Sequence, residues 1–182
     1  RITEQGLART FQNIRLFKSM TVLENVMIGR HCRTRTGILG AVCRGPRTRR
    51  EEQEIVGTSL ALLERTGLAD QADEVAASLP YGAQRRLEIA RALATEPLLL
   101  LLDEPAAGMN PQETAELIEL IIAIRADGLS ILLIEHDMKL VMNISDRIYV
   151  MEYGKEIAQG TPREIKENPR VIEAYLGEEA HA

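Results

Sequence analysis

The stretch LLLLLDEPAAGMNPQE, residues 98–113, runs five leucines straight into two adjacent carboxylates, then a proline and a glycine. An ionised carboxylate is costly to bury unless something answers it, so Asp103 and Glu104 at the end of the most apolar run mark a site rather than a core. Downstream the pattern alternates. Leu117, Leu120, Ile121 and Ile124 repeat at helical spacing, a second apolar run SILLI (130–134) follows, then another helical stretch and a third run, RIYVM (147–151). Runs of this kind joined by crossover helices predict an α/β fold with a parallel sheet. Ligands of such sheets sit outside the carboxyl ends of the strands. Asp103 and Glu104 follow the first run, and Glu135 and His136 follow the second, so both pairs are expected in one crevice.

Upstream, Val56, Leu60 and Leu63 mark an amphipathic helix closed by Gly67, and Leu87, Ala90 and Leu93 mark another beginning near Gln84. The region between about Thr21 and Leu79 therefore reads as mainly helical. The C-terminal TPREIKENPRVIEAYLG reads as two short helices separated by Pro169. A length of 182 residues with 45% apolar content suits one globular domain. The net charge of -5 gives no basic face for nucleic acid, and the locally basic RTRTGILGAVCRGPRTRREE (33–52) reads as a solvated loop. Cys32 and Cys43 are too isolated for a disulfide framework or a metal site and read as reduced thiols. No apolar run reaches the length of a membrane span, and these residues read as carrying no signal-peptide pattern.

An acidic pair at a strand end, without a histidine or cysteine cluster, suits a hard cation such as Mg2+ carrying a phosphate ligand, and hence a nucleotide. Asp103 would hold the magnesium through water, Glu104 would orient and deprotonate an attacking water, and His136 would reach the terminal phosphate. Gly82, in LPYGAQRRLEIARAL (79–93), lies just before a helix whose free N–H groups and dipole can receive a phosphate. Each feature alone is commonplace: a solvated carboxylate loop, a surface EHD, a glycine turn. Their joint order is what carries the reading.

At these residues the chain resembles the nucleotide-binding subunit of an ABC transporter. LPYGAQ corresponds to the family signature loop, LLLLLDE to the Walker B strand with its catalytic glutamate, AAGMNPQE with Asn110 to the D-loop region, and IEHD to the switch histidine. TFQNIRLFKSMTVLENV resembles the Q-loop, with Gln12 where the family contacts magnesium and water and communicates with the membrane partner. Within the family the wording is most similar to the ATP-binding subunit of branched-chain amino acid importers; relatives that energise urea uptake or lipopolysaccharide export share much of it.

The resemblance implies a P-loop NTPase-like ABC domain binding ATP and Mg2+. Glu104 and His136 would be catalytic, Asp103 and Gln12 would serve the metal, and Gln12, Gly82, Gln84 and Asn110 the nucleotide, with Gly82 and Gln84 acting in trans on a second ATP-binding subunit. Its segments would be 1–20, Q-loop and the end of the N-terminal core; 21–79, helical subdomain; 80–160, signature loop and α/β core; and 161–182, C-terminal helices. Transmembrane permease subunits, and indirectly a substrate-binding protein, would be its partners at the cytoplasmic face of the inner membrane, and nucleic acid would not. Two departures accompany the match. Pro80 stands where the family usually has a serine, so that hydroxyl contact to phosphate is lost. These residues also contain no G-x-x-x-x-G-K-[ST] loop; the only Gly-Lys pair is Gly154 with Lys155. The expectation is an N-terminally truncated ATPase, opening at Arg1, without the strands and P-loop that precede the Q-loop. A non-catalytic interaction module keeping the dimer and docking surfaces is the alternative, while an ABC-class DNA-repair ATPase is disfavoured by the lack of a long heptad segment.

Overall fold

Leucine-rich strand β2 (Leu99–Asp103) is the middle strand of a three-stranded parallel sheet, between β1 (Leu7–Arg9) and β3 (Ser130–Ile134). The computed structural model describes residues 2–34 and 45–176. Leu99 pairs with Leu7 on one side and Ser130 on the other, and the register continues to Asp103 opposite Ile134. Leu98 is not part of the strand: it is exposed, and its side chain lies over Gly6, a position of positive φ. The chain forms two units, 1–134 and 135–182.

In the first unit, α1 (Val22–Arg30), α2 (Pro46–Arg65) and α3 (Tyr81–Leu93) share a core of Val22, Val26, Leu63, Leu68, Leu79, Leu87 and Ala90. Thr21 caps α1 through a reciprocal capping box with Glu24. α1 crosses α3 so closely that a Cβ at Gly29 would strike the backbone carbonyl of Arg91, a contact only glycine permits. Two expectations need correcting here. Leu63 is fully buried and Val56 half-buried as expected, but Leu60 is exposed and the buried face passes through Ser59 in its place; the exposure of Leu60 is the first correction. The basic stretch is not a loop after Gly45, because Pro46 opens α2 with its φ pre-set for a helix; residues 35–44, Cys43 among them, lie outside the described residues. α4 (Pro111–Ala126) buries Leu117, Leu120, Ile121 and Ile124, the four positions that define its apolar stripe in the sequence.

The second unit holds α5 (Met138–Ile144), β4 (Ile148–Glu152), β5 (Lys155–Gly160), α6 (Pro162–Lys166) and α7 (Pro169–Val171), which continues as a wider turn to Leu176. Its core is Ile148, Val150, Ala158, Ile165 and Val171. The third apolar run does not join the parallel sheet: β4 pairs antiparallel with β5 through a tight turn at Tyr153 and Gly154, both with positive φ. Two central residues of positive φ make the turn whose twist matches a hairpin. Pro169 is the first residue of α7 rather than a break between helices, and Asn168 caps it. Among the described residues no helix is long and apolar enough to cross a membrane.

Candidate functional site

The two carboxylates face the segment that leaves β1. Parallel pairing brings the carboxyl ends of β1 and β2 side by side, and Thr10 extends it by donating its N–H to the Leu101 carbonyl at 2.9 Å. Arg9 Nη2 then reaches Asp103 Oδ2 at 2.8 Å, and Gln12 Nε2 donates to Glu104 Oε2 at 2.7 Å. Glu104 also donates its own N–H to the Ile134 carbonyl at the end of β3. It does so with φ 44, a left-handed conformation that non-glycine residues rarely adopt and that concentrates at functional sites. The leucine run therefore ends in a carboxylate held by a cation and another held by an amide, with backbone strain stored at the second.

A second constellation surrounds the start of α3. Gly82 lies inside the first helical turn, behind Pro80 and Tyr81, rather than just before the helix; the helix begins three residues ahead of Gln84. Its N–H donates to Glu113 Oε1 at 3.3 Å. The other Glu113 oxygen accepts the Asn110 N–H at 3.0 Å, while the Asn110 side chain accepts from Glu113 N–H at 2.9 Å. One carboxylate thus closes the N-termini of both α3 and α4, where the helix dipoles favour negative charge. Gln84 gives its side-chain amide to the Leu79 carbonyl at 2.8 Å. Asn110 consequently caps α4, Gln84 ties its side chain to the segment before α3, and Gly108, at φ 77, brings the loop before α4 against the Tyr81 ring.

Of the predicted site residues, the structure joins Gln12, Asp103 and Glu104, and separately Gly82 and Asn110 through Glu113. His136 belongs to the second unit, where its exposed ring lies 3.9 Å from the buried Glu135 carboxylate. Sequence reasoning passed over Arg9, Arg85, Glu88 and Glu113. The Arg85–Glu88 pair carries one faint signal, opposite charges three apart on a helix, with Glu88 flanked by Leu87 and Ile89. Both side chains are buried, at 0% and 2% exposure, and lie 3.0 Å apart.

Beside Gln12 opens a groove of about 520 Å³ lined by Phe11, Phe17, Arg9, Arg15, Ile28 and Arg91, among others. Arg9 and Arg15 lie over the Phe11 ring, and Arg91 over Phe17, within reach of cation–π attraction. Burial pushes the Arg91 guanidinium below its usual value, with Glu88 pulling the other way. The two phenylalanine rings remain over a third exposed.

Residues 1–107 match the family described as ABC transporter, and residues 155–181 match the one described as branched-chain amino acid ATP-binding cassette transporter. The chain is 53% identical over 178 residues to the high-affinity branched-chain amino acid transport ATP-binding protein LivG of Salmonella typhimurium, covering 97% of this chain and 70% of that protein. It is 49% identical over 179 residues to BraF of Pseudomonas aeruginosa, which carries the same description, with 98% of this chain and 70% of that one covered. Among solved structures, an ATP-binding cassette of an ABC transporter in its ADP conformation superposes with a TM-score of 0.78 at 34% identity, over 97% of this chain and 70% of that chain.

Proposed function

The chain belongs to the ABC transporter ATP-binding family, and from that membership we propose that it is the ATP-hydrolysing subunit of an importer of branched-chain amino acids. The observation that carries the chemistry is the 2.7 Å hydrogen bond from Gln12 to Glu104, formed at the carboxyl ends of adjacent parallel strands beside Asp103. Glu104 is the candidate general base. Its second oxygen would take a proton from the attacking water while Gln12 holds the carboxylate in place, and the left-handed backbone aims it away from the strand axis.

The donor set fits a magnesium ion. Gln12 offers an amide oxygen once its nitrogen is engaged by Glu104, Asp103 offers a carboxylate, and magnesium takes one or two such oxygens alongside water and phosphate. Arg9 already stands on Asp103 as a cation, and this pair is exposed enough on the arginine side to be replaced at little cost. When bound, the ion would draw charge off the transferring phosphoryl oxygens. His136 is the candidate contact to the terminal phosphate, and Gly82 with Gln84 would complete the site of a second ATP-binding subunit.

Subunits of this family work with transmembrane permease components, and the Phe11–Phe17 groove together with residues 21–79 is the surface we assign to them. Attachment would be peripheral, at the cytoplasmic face of the inner membrane, and the solute would be chosen by the permease and a binding protein. The test is Glu104→Gln in the complete subunit, phosphate-binding loop included, within the assembled transporter. Its amide keeps the shape but cannot accept the proton, so nucleotide binding should persist while turnover falls about 10²- to 10⁴-fold. Near-normal hydrolysis would overturn the assignment. Uptake of radiolabelled leucine into proteoliposomes, with urea as the comparison solute, checks the transported class.

A further inference from the structure

Arg85 holds another segment in place through both of its terminal nitrogens, while its buried Nε has no hydrogen-bond partner. Nη1 donates to the Phe11 carbonyl at 2.7 Å and to Glu88 Oε2 at 3.0 Å, while Nη2 donates to the Gln12 carbonyl at 2.8 Å and to the Tyr81 hydroxyl at 3.2 Å. Two successive carbonyls held by one planar group fix the two peptides that flank Gln12, and with them the direction in which the Gln12 side chain leaves the backbone. Glu88 holds the far end of the same loop, since its Oε1 accepts the Arg15 N–H at 3.3 Å. The Tyr81 bond carries the connection into the first turn of α3, beside Gly82.

We propose that Arg85 is a positioning residue for ATP hydrolysis: it sets Gln12 against Glu104 and locks that contact to the first turn of α3, so that the water-activating carboxylate and the phosphate-receiving turn move as one body. The inference rests on the ATPase reading above. A buried ion pair is a poor device for stability alone, because apolar residues of similar volume serve as well or better. What a buried arginine supplies that a leucine or methionine does not is a rigid fork of donors, aimed here at the loop after β1 and at two side chains of its own helix. Lysine cannot substitute, since a single ammonium on a flexible stem cannot hold both carbonyls in fixed relative positions.

The test uses the assembled transporter with Arg85→Lys, and with the double variant Arg85→Gln, Glu88→Gln, which removes both buried charges together so that no uncompensated charge opposes folding. Both should keep the KM for ATP within about threefold and lower kcat by about 10- to 100-fold, the loss expected when a catalytic group is displaced by around 1 Å. In a Glu104→Gln background the same changes should lower residual turnover little further, because Arg85 acts through Gln12 on Glu104. Equal losses in both backgrounds, or wild-type kcat in a folded double variant, would overturn the inference. Normal turnover of Glu104→Gln by itself would instead overturn the ATPase reading, so the two failures are distinguishable.

Discussion

At the scale of single residues, Gly82 shows how one atom decides the sign of a substitution. A Cβ at that position would meet Glu113 Oε1 at 2.6 Å, and Glu113 is the far end of a flexible side chain that can withdraw only by giving up its bonds to Gly82 and Asn110. Gly82→Ala should therefore destabilise by about 1 kcal/mol, the loss of two hydrogen bonds worth about 1 kcal/mol each less the helix-propensity gain of alanine. In a Glu113→Ala background the clash is gone, and the helix-propensity gain of alanine over glycine, up to about 1 kcal/mol, should make the same change stabilising. Urea midpoints of the four proteins in this cycle decide it; additivity would show that Glu113 does not couple to Gly82. Asp103, Glu104 and Gln12 were legible in the sequence because a strand-end carboxylate pair is a local pattern and the resemblance supplied Gln12. Glu113 and Arg85 were not: their roles depend on which helix ends and loops meet in space, and a glutamate in NPQE or an arginine in AQRRLE reads locally as surface charge.

At the scale of elements, the helices with unbroken stripes were readable and the hairpin was not. Leu117, Leu120, Ile121 and Ile124 bury as their spacing requires, whereas RIYVM pairs with KEIAQG through a Tyr-Gly turn that lacks the asparagine or aspartate that announces such a turn. Tyr153 adopts φ 46 and is 98% exposed, so its ring contributes little burial to set against the strain. Tyr153→Asn should raise stability by about 0.5–1 kcal/mol, since asparagine tolerates the left-handed region that costs other residues roughly 1–2 kcal/mol. A lower melting temperature for this variant would contradict that account. The capping box of α6 gives a pH signature. The Thr161 N–H and hydroxyl, aided by Arg147, hold the Glu164 carboxyl below its ordinary value. A depressed carboxyl contributes stability above its unfolded pKa and loses it as pH falls through the folded value. Thr161→Ala should thus lower the melting temperature at neutral pH and narrow the gap to wild type under acid conditions, in thermal scans from pH 7 down to pH 3.

At the scale of the whole molecule, family and activity were legible because they rest on the order of motifs along the chain: Q-loop, signature, strand-end carboxylates, switch histidine. Order survives without any knowledge of distances. The same order raises the question of which nucleotide each part serves. Within this chain Gly82 faces Glu113, while Asp103 and Glu104 face Arg9 and Gln12, so the two constellations engage different partners. In a dimer of ATP-binding subunits, that division suits a first turn of α3 that completes the neighbour's site rather than its own. On the proposed trans reading, the neighbour's phosphate would take the place at this helix terminus that the Glu113 carboxylate holds within the chain. Gly82→Asp would place a fixed carboxylate against that phosphate. In a mixed dimer with one Gly82→Asp subunit, vanadate trapping should be impaired at the site whose Asp103 and Glu104 belong to the unmodified subunit, and retained at the site built on the modified subunit's own carboxylates. Trapping lost only at the modified subunit's own site would place Gly82 in cis and overturn the assignment.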